Sequence, residues 1–591
     1  MPARQGGPTA ADDDMSRQQA GGGGAAGGGM IPPEVAGAGA AEVAGAATVT
    51  GGRPGPETAS VVRSSGIMAV GTLASRATGF LRTLVLAYAL GVTAVANAYY
   101  NANTLPNAVY DLMLGGILTS IVVPLLVNAA KRDADGGEAY DQRIFTLTTI
   151  SLLALTVVAT LAATLLVALY ASALPAPTRH LTVIFAYFFI PQIFFYGVSS
   201  LAGGVLNARG RFAAPMWTPV INNIVVIAVL LLFLVTGGLG DGTAASLGTG
   251  EIQLLGFGTT LGIITQTAAL IPALRRAGFR WRPRFDFRRD EVAEIRRMAA
   301  PLFGYIATTQ VSLLVVQNVA NAASAHASYD GFSTYNYAFQ LFQMPYAVIG
   351  ISVITALLPR ISAHAAARRP DHVRADFSAG LRLSSVIVVP SALVLAVLGP
   401  DLAEVFLAHG ATSVASARYM GEVFAVLCLG LVPYTVFQLQ LRVFYALHDS
   451  RTPALIGVVT MIVNVGANYA ALTLLPPGQV VAGLGFAFGL GNLAGSALAW
   501  RLLSRRLGGM DGRVIGGCLL RAHAAAVPPA LLALALSLAA ATILPGGPLG
   551  ALVTVTLAGA AALLLYLFLA RVFRVSELTD LLGTVTARLR R

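Results

Sequence analysis

The feature that most constrains this chain is a series of fourteen long apolar segments between residues 63 and 572. A helix that crosses a bilayer needs about 20 apolar residues, so fourteen crossings use most of that stretch. Only 11% of the 591 residues are charged, whereas a soluble protein needs roughly a quarter to cover its surface. The sequence therefore predicts an all-α polytopic membrane protein with 14 transmembrane helices.

Positive charges in the loops predict how the chain is oriented. Alternate loops, together with the C-terminal tail, hold 28 Lys and Arg residues, and the opposite loops hold 2, Arg179 and Arg418. Because basic loops stay in the cytoplasm, the chain is expected in the plasma membrane with both termini cytoplasmic. The same bias explains the net charge of +12, so no nucleic-acid partner is predicted.

An internal repeat relates the first six predicted helices to the next six. Leu105-Pro106-Asn107-Ala108-Val109 and Met344-Pro345-Tyr346-Ala347-Val348 lie in the second helix of each set. The short turns that end at Pro215 and Pro453 match in the same order. Because six is even, both copies enter the membrane from the same side. A parallel repeat of this kind predicts two six-helix lobes around a central cavity, with two extra C-terminal helices.

The predicted domains follow from these helices and from composition. Residues 1–62 contain Gly and Ala runs and no apolar core, which predicts a disordered cytoplasmic tail rather than a signal peptide. The remaining predicted segments are the first lobe 63–274, a basic cytoplasmic linker 275–297, the second lobe 298–503, the extra helices 513–572 and a cytoplasmic tail 573–591.

Two arginines inside the first predicted helix are the strongest site candidates. Ionisable residues within a membrane helix usually face an interior cavity. Arg76 lies near the middle of the helix, where a long side chain cannot easily reach water. Arg76 and Arg82 are about 120° apart on an ideal helix and could flank one cavity, where two guanidinium groups suit phosphate oxygens. The alternative is that one of these arginines forms a structural ion pair with the carboxylate of Asp111. Arg382, Arg442 and Arg521 lie near cytoplasmic ends, where we expect them to reach water.

Most other interior polar groups are amides. Such side chains can bind sugar hydroxyls or join helices to one another, and the sequence does not favour either role. Asn464 and Asn468 are one helical turn apart and form a weak candidate for a small cation site. The amides include Asn97, Asn101, Asn103, Asn107, Gln310, Gln317, Asn318, Asn321, Gln340 and Gln343.

No catalytic motif is present in the sequence. The seven histidines are scattered, and there is no nucleotide-binding loop or soluble catalytic domain. The chain is predicted not to be an enzyme and to need no cofactor or metal. A membrane glycosyltransferase would need an essential acidic residue on a large outer loop, but these outer loops are short and nearly uncharged. A scaffold without transport activity is the remaining alternative from another class.

Several motifs together resemble the MurJ (MviN) lipid II flippases, a family in the multidrug/oligosaccharidyl-lipid/polysaccharide exporter superfamily. The motifs are Ser75-Arg76-Ala77-Thr78-Gly79-Phe80-Leu81-Arg82, Ala98-Tyr99-Tyr100, Leu105-Pro106-Asn107, the 204–215 turn and Phe444-Tyr445-Ala446-Leu447. The resemblance implies transport of lipid II, a polyprenyl-diphosphate-linked disaccharide-pentapeptide, to the outer leaflet for cell-wall synthesis. By the same resemblance, Arg76 and Arg82 grip the diphosphate and residues 513–572 form a groove for the lipid tail.

Several charges expected from that family are replaced here. Asn97 stands in place of an acidic residue, Tyr110 and Asp111 in place of an arginine pair, and Phe339, Gln340 and Gln343 in place of an arginine and its acidic neighbours. Asn464, Asn468 or Gln310 occupy the positions of sodium-binding carboxylates. The expected cargo-binding residues are Arg76, Arg82, Ser75, Asn97, Asn107, Asp111, Gln310, Gln340 and Gln343.

The expected mechanism is alternating access driven by membrane potential. Membrane lipids and cell-wall synthesis proteins are the other expected partners. Two alternative functions are a flippase for another polyprenyl-linked glycan and a drug/cation antiporter of the same superfamily. The antiporter would need an acidic cavity, whereas the cavity candidates here are mostly arginines and amides.

Overall fold

The described part of the chain is helical throughout its regular secondary structure. The computed structural model describes residues 56–112, 125–126, 129, 135, 137–238, 240, 242–243, 245–286, 289–324, 331–347, 352–447, 449, 451–575 and 577–578. Within these ranges it gives the backbone alone at 56–69, 111–112, 289–306 and 352–356. Most of the predicted tail, 1–55, lies outside the described residues. Residues 56–62, predicted to belong to that tail, instead form the start of the first helix, with Pro56 at its first position, where proline's fixed φ suits a helix start.

Nineteen helices make up the described fold, and several predicted spans consist of two consecutive helices. The first lobe contains α1 (Pro56–Leu90), α2 (Ala94–Leu112), α3 (Glu138–Leu161), α4 (Ala163–Tyr170), α5 (Ala176–Phe189), α6 (Gln192–Ala208), α7 (Ala213–Thr236), α8 (Thr249–Ala268) and α9 (Leu270–Arg276). The second lobe contains α10 (Arg289–Ser324), α11 (Gly331–Tyr346), α12 (Ser352–Ala366), α13 (Pro370–Leu407), α14 (Val414–Leu429), α15 (Leu431–Ala446), α16 (Arg451–Leu474) and α17 (Pro477–Leu507). The extra helices are α18 (Gly512–Ile543) and α19 (Pro548–Val572).

Nine of the described helical segments are long and apolar enough to cross a membrane, and a tenth is formed if α14 and α15, bent by 48°, count as one span. These ten coincide with ten of the fourteen predicted spans. The other four predicted spans are the first, second, seventh and eighth. The structure describes each of these four only in part, because it gives the backbone alone at 65–69 and 298–306 and does not describe 113–124 and 348–351.

Helix packing repeats between the two lobes. In the first lobe, α1 packs on α7, α7 on α8, and α2 on α5 and α6. In the second lobe, the corresponding helices make the corresponding pairs: α10 packs on α16, α16 on α17, and α11 on α14. The two short turns predicted from sequence connect α6 to α7 and α15 to α16. This agreement confirms the parallel repeat.

The extra helices α18 and α19 pack on each other and on α13 of the second lobe. At one end of α13, the Arg418 guanidinium bonds to Asp401 at 3.2 Å and to Glu404 at 2.8 Å. The Ser537 hydroxyl donates to Asp401, and the Gly547 amide donates to Glu404. This polar network ties α18 and the start of α19 to the second lobe.

The end of the molecule where α6 and α15 finish is held together by ion pairs inside each lobe. In the first lobe, Arg209 bonds to the Asp141 carboxylate at 2.8 Å. In the second lobe, Asp376 accepts from Arg360 at 2.8 Å and lies 2.7 Å from His364 Nδ1. We call this end the opposite end, because the contacts between the lobes lie at the other end of the bundle.

Candidate functional site

The two lobes meet where α1 and α13 finish, and we call this region the tethered end. The Ala411 amide donates to the Tyr88 carbonyl at 2.8 Å, and the Thr412 hydroxyl donates to the Ala87 carbonyl at 2.7 Å. Gly91 has a φ of +59°, and a Cβ there would lie 2.5 Å from the Ala411 carbonyl oxygen. Only glycine allows this turn and this close approach together.

A cluster of four buried amide side chains joins α2 to α10 at the tethered end. Asn101 Nδ2 donates to the Asn97 carbonyl at 2.8 Å and to Asn321 Oδ1 at 3.2 Å. Asn101 Oδ1 accepts from Gln317 and from Asn321, each at 2.7 Å. All four side chains are at least 97% buried. Hydrogen bonds across membrane helices act as glue, so the structure favours the helix-joining role for this cluster.

Aromatic and polar contacts continue the interface below the amide cluster. The rings of Tyr100 and Tyr337 meet edge to face with centroids 5.1 Å apart, and Phe80 meets Phe406 at 5.6 Å. The Thr83 hydroxyl donates to Gln340 Oε1, so α1 touches α11 at that level. Together these contacts close the tethered end and form the floor of the space between the lobes.

Helix α1 has one side against its own lobe and another toward the second lobe. Asn223 Nδ2 of α7 donates to the Ser75 carbonyl at 3.3 Å and to the Thr78 hydroxyl at 3.1 Å. The Ser75 backbone therefore faces α7. Arg76 lies seven residues before Thr83, so the two are only about 20° apart around an ideal helix. Arg76 thus shares the side that contacts α11 of the second lobe.

The two predicted arginines occupy different levels between the lobes. Six residues correspond to about 9 Å along a helix. Arg82 directly precedes Thr83, whose hydroxyl donates to Gln340, so Arg82 lies next to the floor. Arg76 lies nearer the opposite end. The arrangement is a column of positive charge along the space between the lobes rather than one compact fork.

Arg82 has no carboxylate to neutralise it. It makes no ion pair with any residue that the structure describes, and its Nε is buried without a hydrogen-bond partner. By contrast, carboxylates pair with the arginines at the ends of the lobes, including Arg209, Arg360, Arg382, Arg418 and Arg506. The guanidinium of Arg82, which is half-buried, therefore lacks the counter-ion that these other arginines have.

Arg442 of α15 was expected to reach water at the cytoplasmic end. It is half-buried, and its Nε is buried without a hydrogen-bond partner among the described residues. Helix α15 packs against α11, where the rings of Tyr346 and Tyr434 lie 4.6 Å apart. Side chains on a helix extend toward its N-terminus, and the N-terminus of α15 lies away from the opposite end. The expectation for Arg442 stays a prediction.

The remaining predicted site residues take several positions. Asn107 accepts from the Tyr196 hydroxyl at 3.3 Å within the first lobe. Gln310 and Gln343 are half-buried on α10 and α11, and the Asp111 side chain lies outside the described residues. Asn468 Nδ2 donates to Asn464 Oδ1 at 3.0 Å, and Asn468 Oδ1 has no partner in the described part. Their roles in binding cargo or a cation stay predictions.

The tyrosines were missed in the sequence. Tyr99, Tyr100, Tyr337 and Tyr346 are at least 93% buried, and the rings of Tyr100 and Tyr337 meet between the lobes. A tyrosine in an apolar segment looks like an ordinary core residue. The available signal was their concentration in the second and eighth predicted helices, which also hold the amides.

Two lobes related by a parallel repeat, joined at one end and carrying uncompensated arginine between them, define a membrane transporter of the alternating-access class. The particular family follows from comparison with known proteins. The chain belongs to the lipid II flippase MurJ family, whose family model matches residues 86–556.

Characterised relatives and solved structures agree with this assignment. The chain is 27% identical over 425 residues to the probable lipid II flippase MurJ of Rhizobium meliloti, covering 71% of this chain and 76% of that protein. It is 27% identical over 449 residues to the lipid II flippase MurJ of Burkholderia cenocepacia, covering 74% and 82%. A structure of lipid II flippase MurJ in an inward closed conformation superposes with a TM-score of 0.68, 18% identity and coverage of 86% and 98%.

A second structural neighbour shows that the fold extends beyond this family. An inward-facing multidrug resistance MATE family transporter superposes with a TM-score of 0.59 at 14% identity, covering 73% of this chain and 94% of that one. At such low identity the similarity concerns the fold alone.

Proposed function

We propose that this chain carries lipid II from the inner to the outer leaflet of the plasma membrane. The observation that carries the proposal is the column formed by Arg76 and Arg82 between the lobes, where the described part gives Arg82 no carboxylate. A diphosphate offers several anionic oxygens in a row, and guanidinium groups bind such oxygens in paired hydrogen bonds. The relatives that share the fold are named for the same cargo.

The proposed orientation places the opposite end in the cytoplasm and the tethered end outside. The basic loops, including the turns at Arg209 and Arg451, lie at the opposite end, which agrees with the positive-inside bias. Both termini are then cytoplasmic. In this conformation the head group would enter from the cytoplasm, because the tethered end is closed by the amide cluster and the tyrosine pair.

The cargo's two parts place different demands on the protein. Each polar group of the sugar–peptide head would cost several kcal/mol in hydrocarbon without hydrogen bonds, so the head needs the polar space between the lobes. The polyprenyl tail can stay in lipid. We propose that α18 and α19, which expose Leu531, Leu538, Leu557 and Leu564, guide the tail beside the second lobe. In this proposal the lobes correspond to 63–274 and 298–503, and the extra helices to 513–572.

A leaflet assay with purified protein tests the proposed function. Proteoliposomes would receive fluorescent lipid II, and movement between leaflets would be read by quenching the label on one side. We expect Arg76→Ala and Arg82→Ala each to abolish transport while leaving the protein folded and inserted. Lysine at either position should restore only part of the rate, because lysine keeps the charge but loses the forked geometry. Arg451→Ala, which removes an exposed arginine, should transport normally.

The same assay separates the alternatives. A different polyprenyl-diphosphate glycan that moves faster than lipid II would identify another cargo of the same chemistry. Movement of a lipophilic cation by the wild type would support a drug/cation antiporter. Full lipid II transport by both alanine variants would remove the arginine column from the mechanism.

A further inference from the structure

We propose that Arg442 of the second lobe and Arg76 of the first form a two-lobe clamp for the diphosphate of the cargo. The inference rests on the proposed function and deepens it by naming a binding residue on the other lobe. Arg442 also gives the second lobe a positive charge. The arginine that the family resemblance would place on this lobe, with its acidic neighbours, is replaced here by Phe339, Gln340 and Gln343. Three independent features of the structure support it.

The first feature is that Arg76 and Tyr346 lie at the same level between the lobes. Helices α1 and α11 run in opposite directions and touch where Thr83 meets Gln340. Arg76 is seven residues from that contact along α1, and Tyr346 is six residues from it along α11. At 1.5 Å per residue, these steps descend about 10 Å and 9 Å toward the opposite end.

The second feature is that α15 brings Arg442 toward the same level. The Tyr346 and Tyr434 rings lie 4.6 Å apart, so α11 packs against α15 there. Arg442 follows Tyr434 by eight residues, and its side chain extends back toward the helix N-terminus. Arg76, on a helix of opposite direction, extends toward the opposite end. The two guanidinium groups are therefore directed toward the same level from opposite lobes.

The third feature is that Arg442 has hydrogen-bonding capacity to spare. It is half-buried, its Nε has no partner, and no described carboxylate forms an ion pair with it. Arg506, also on the second lobe, shows the usual arrangement, since it pairs with Asp449. A structural role for Arg442 would be expected to provide a partner of that kind.

A clamp between lobes would link cargo binding to closure of the opposite end. When the lobes approach there, two positive groups are forced together and repel. A diphosphate between them replaces that repulsion with attraction from both sides. The carrier then closes around an anionic cargo and resists closing when empty.

Binding of farnesyl diphosphate, a short soluble analogue of the lipid diphosphate, tests the clamp. Its Kd would be measured by calorimetry on the full-length protein in detergent, with farnesol as the uncharged control ligand. We expect Arg442→Gln to raise the Kd for farnesyl diphosphate at least tenfold and Arg442→Lys to raise it less. Arg451→Gln, which removes an exposed charge from the same lobe and the same end, should leave the Kd unchanged.

A double variant distinguishes a shared anion from general electrostatics. If Arg76 and Arg442 hold one diphosphate, the losses from Arg76→Gln and Arg442→Gln should not multiply in the double variant. Losses that multiply would indicate two separate charges and contradict the clamp. If Arg442→Gln leaves the Kd unchanged while Arg76→Gln raises it, this inference is overturned and the proposed function stays intact. Failure of the wild type to bind farnesyl diphosphate in preference to farnesol would count against both.

Spin labels at Arg211 and Arg505, exposed residues of the two lobes at the opposite end, test closure. Cys428 and Cys518 would be replaced by alanine in this background. Adding farnesyl diphosphate should shorten the distance between the labels in the labelled protein that keeps Arg442. The same addition should leave that distance unchanged in the labelled Arg442→Gln variant. Equal shortening in both would contradict the coupling of closure to the clamp.

Discussion

At the residue scale, Asn101 shows how a single amide can serve both lobes. Its side chain donates to Asn97 in its own helix and exchanges hydrogen bonds with Gln317 and Asn321 of the second lobe. The sequence identified these positions as polar residues in apolar helices. It could not decide between sugar binding and helix joining, because an amide has the same donors and acceptors for either role.

Replacing Asn101 should loosen the tethered end. Hydrogen bonds between membrane helices contribute about 0.6 kcal/mol each on average, so Asn101→Leu should cost about 1 kcal/mol. That loss corresponds to roughly a fivefold rise in the population with the tethered end open. The measurement is the alkylation rate of a cysteine introduced at Ala323, a buried residue of α10.

A matched control for this prediction lies one half-turn away on the same helix. Asn103 is half-buried, and its Oδ1 has no partner among the described residues. Asn103→Leu should therefore leave the alkylation rate close to that of the parent. Equal rates for both leucine variants would show that the amide cluster does not hold the lobes together.

At the scale of helices, a polar network around Arg418 joins the extra helices to the second lobe. The Asp401 and Glu404 side chains are 9% and 4% exposed, whereas Arg418 is 45% exposed. The two carboxylates also accept from Ser537 of α18 and from the Gly547 amide before α19. The network therefore joins α13 and α14 of the second lobe to α18 and to the start of α19, and one partly exposed cation balances both carboxylates.

Removing that cation should destabilise the protein clearly. Breaking a buried ion pair costs about 3–5 kcal/mol because a buried charge is left unpaired. Solvent around Arg418 screens part of the interaction, so we expect about 2 kcal/mol for Arg418→Gln. Thermal unfolding in detergent would measure the loss, with Arg284→Gln as the control because its partner Asp286 is exposed. If both variants unfold at the same temperature, the network stabilises the protein no more than the exposed ion pair of Arg284 does.

Four predicted helices, the first, second, seventh and eighth, lie outside the described segments that meet the spanning criterion. The structure describes each of them only in part. The count of fourteen therefore rests on the apolar segments of the sequence and on the loop charges, which depend on the parity of the crossings.

At the scale of the whole molecule, the arginine column should make transport sensitive to membrane potential. Each charge that crosses the membrane is worth about 2.3 kcal/mol per 100 mV. A diphosphate neutralises most of the column, so the loaded step should move little net charge. The empty carrier is positive, and an inside-negative potential should draw it back to the cytoplasmic-facing state.

The prediction is that an inside-negative potential accelerates lipid II transport under multiple-turnover conditions. Proteoliposomes with a potassium gradient and valinomycin would set the potential while transport is recorded. Arg442→Gln should reduce the dependence on potential, since fewer charges then return with the empty carrier. A rate that is indifferent to potential in the wild type would contradict this cycle.

Repulsion between unliganded arginines also bears on the resting conformation. Two unit charges about 4 Å apart repel by about 4 kcal/mol at an effective dielectric constant near 20. That repulsion would oppose closure of the opposite end in the empty protein. The tethered end, which is held by amides and aromatic rings rather than by like charges, remains closed in this conformation.

The sequence by itself determined the helical membrane class and the repeat, and it predicted the orientation from loop arginines and a site at Arg76 and Arg82. These properties depend on local composition and spacing, which the bilayer converts directly into helices and sidedness. Only the tertiary structure decided which polar residues contact the other lobe and which amides bond to each other. Those outcomes depend on helix direction and on partners more than 200 residues away in the chain, as for Asn101 and Asn321, and no local pattern encodes them.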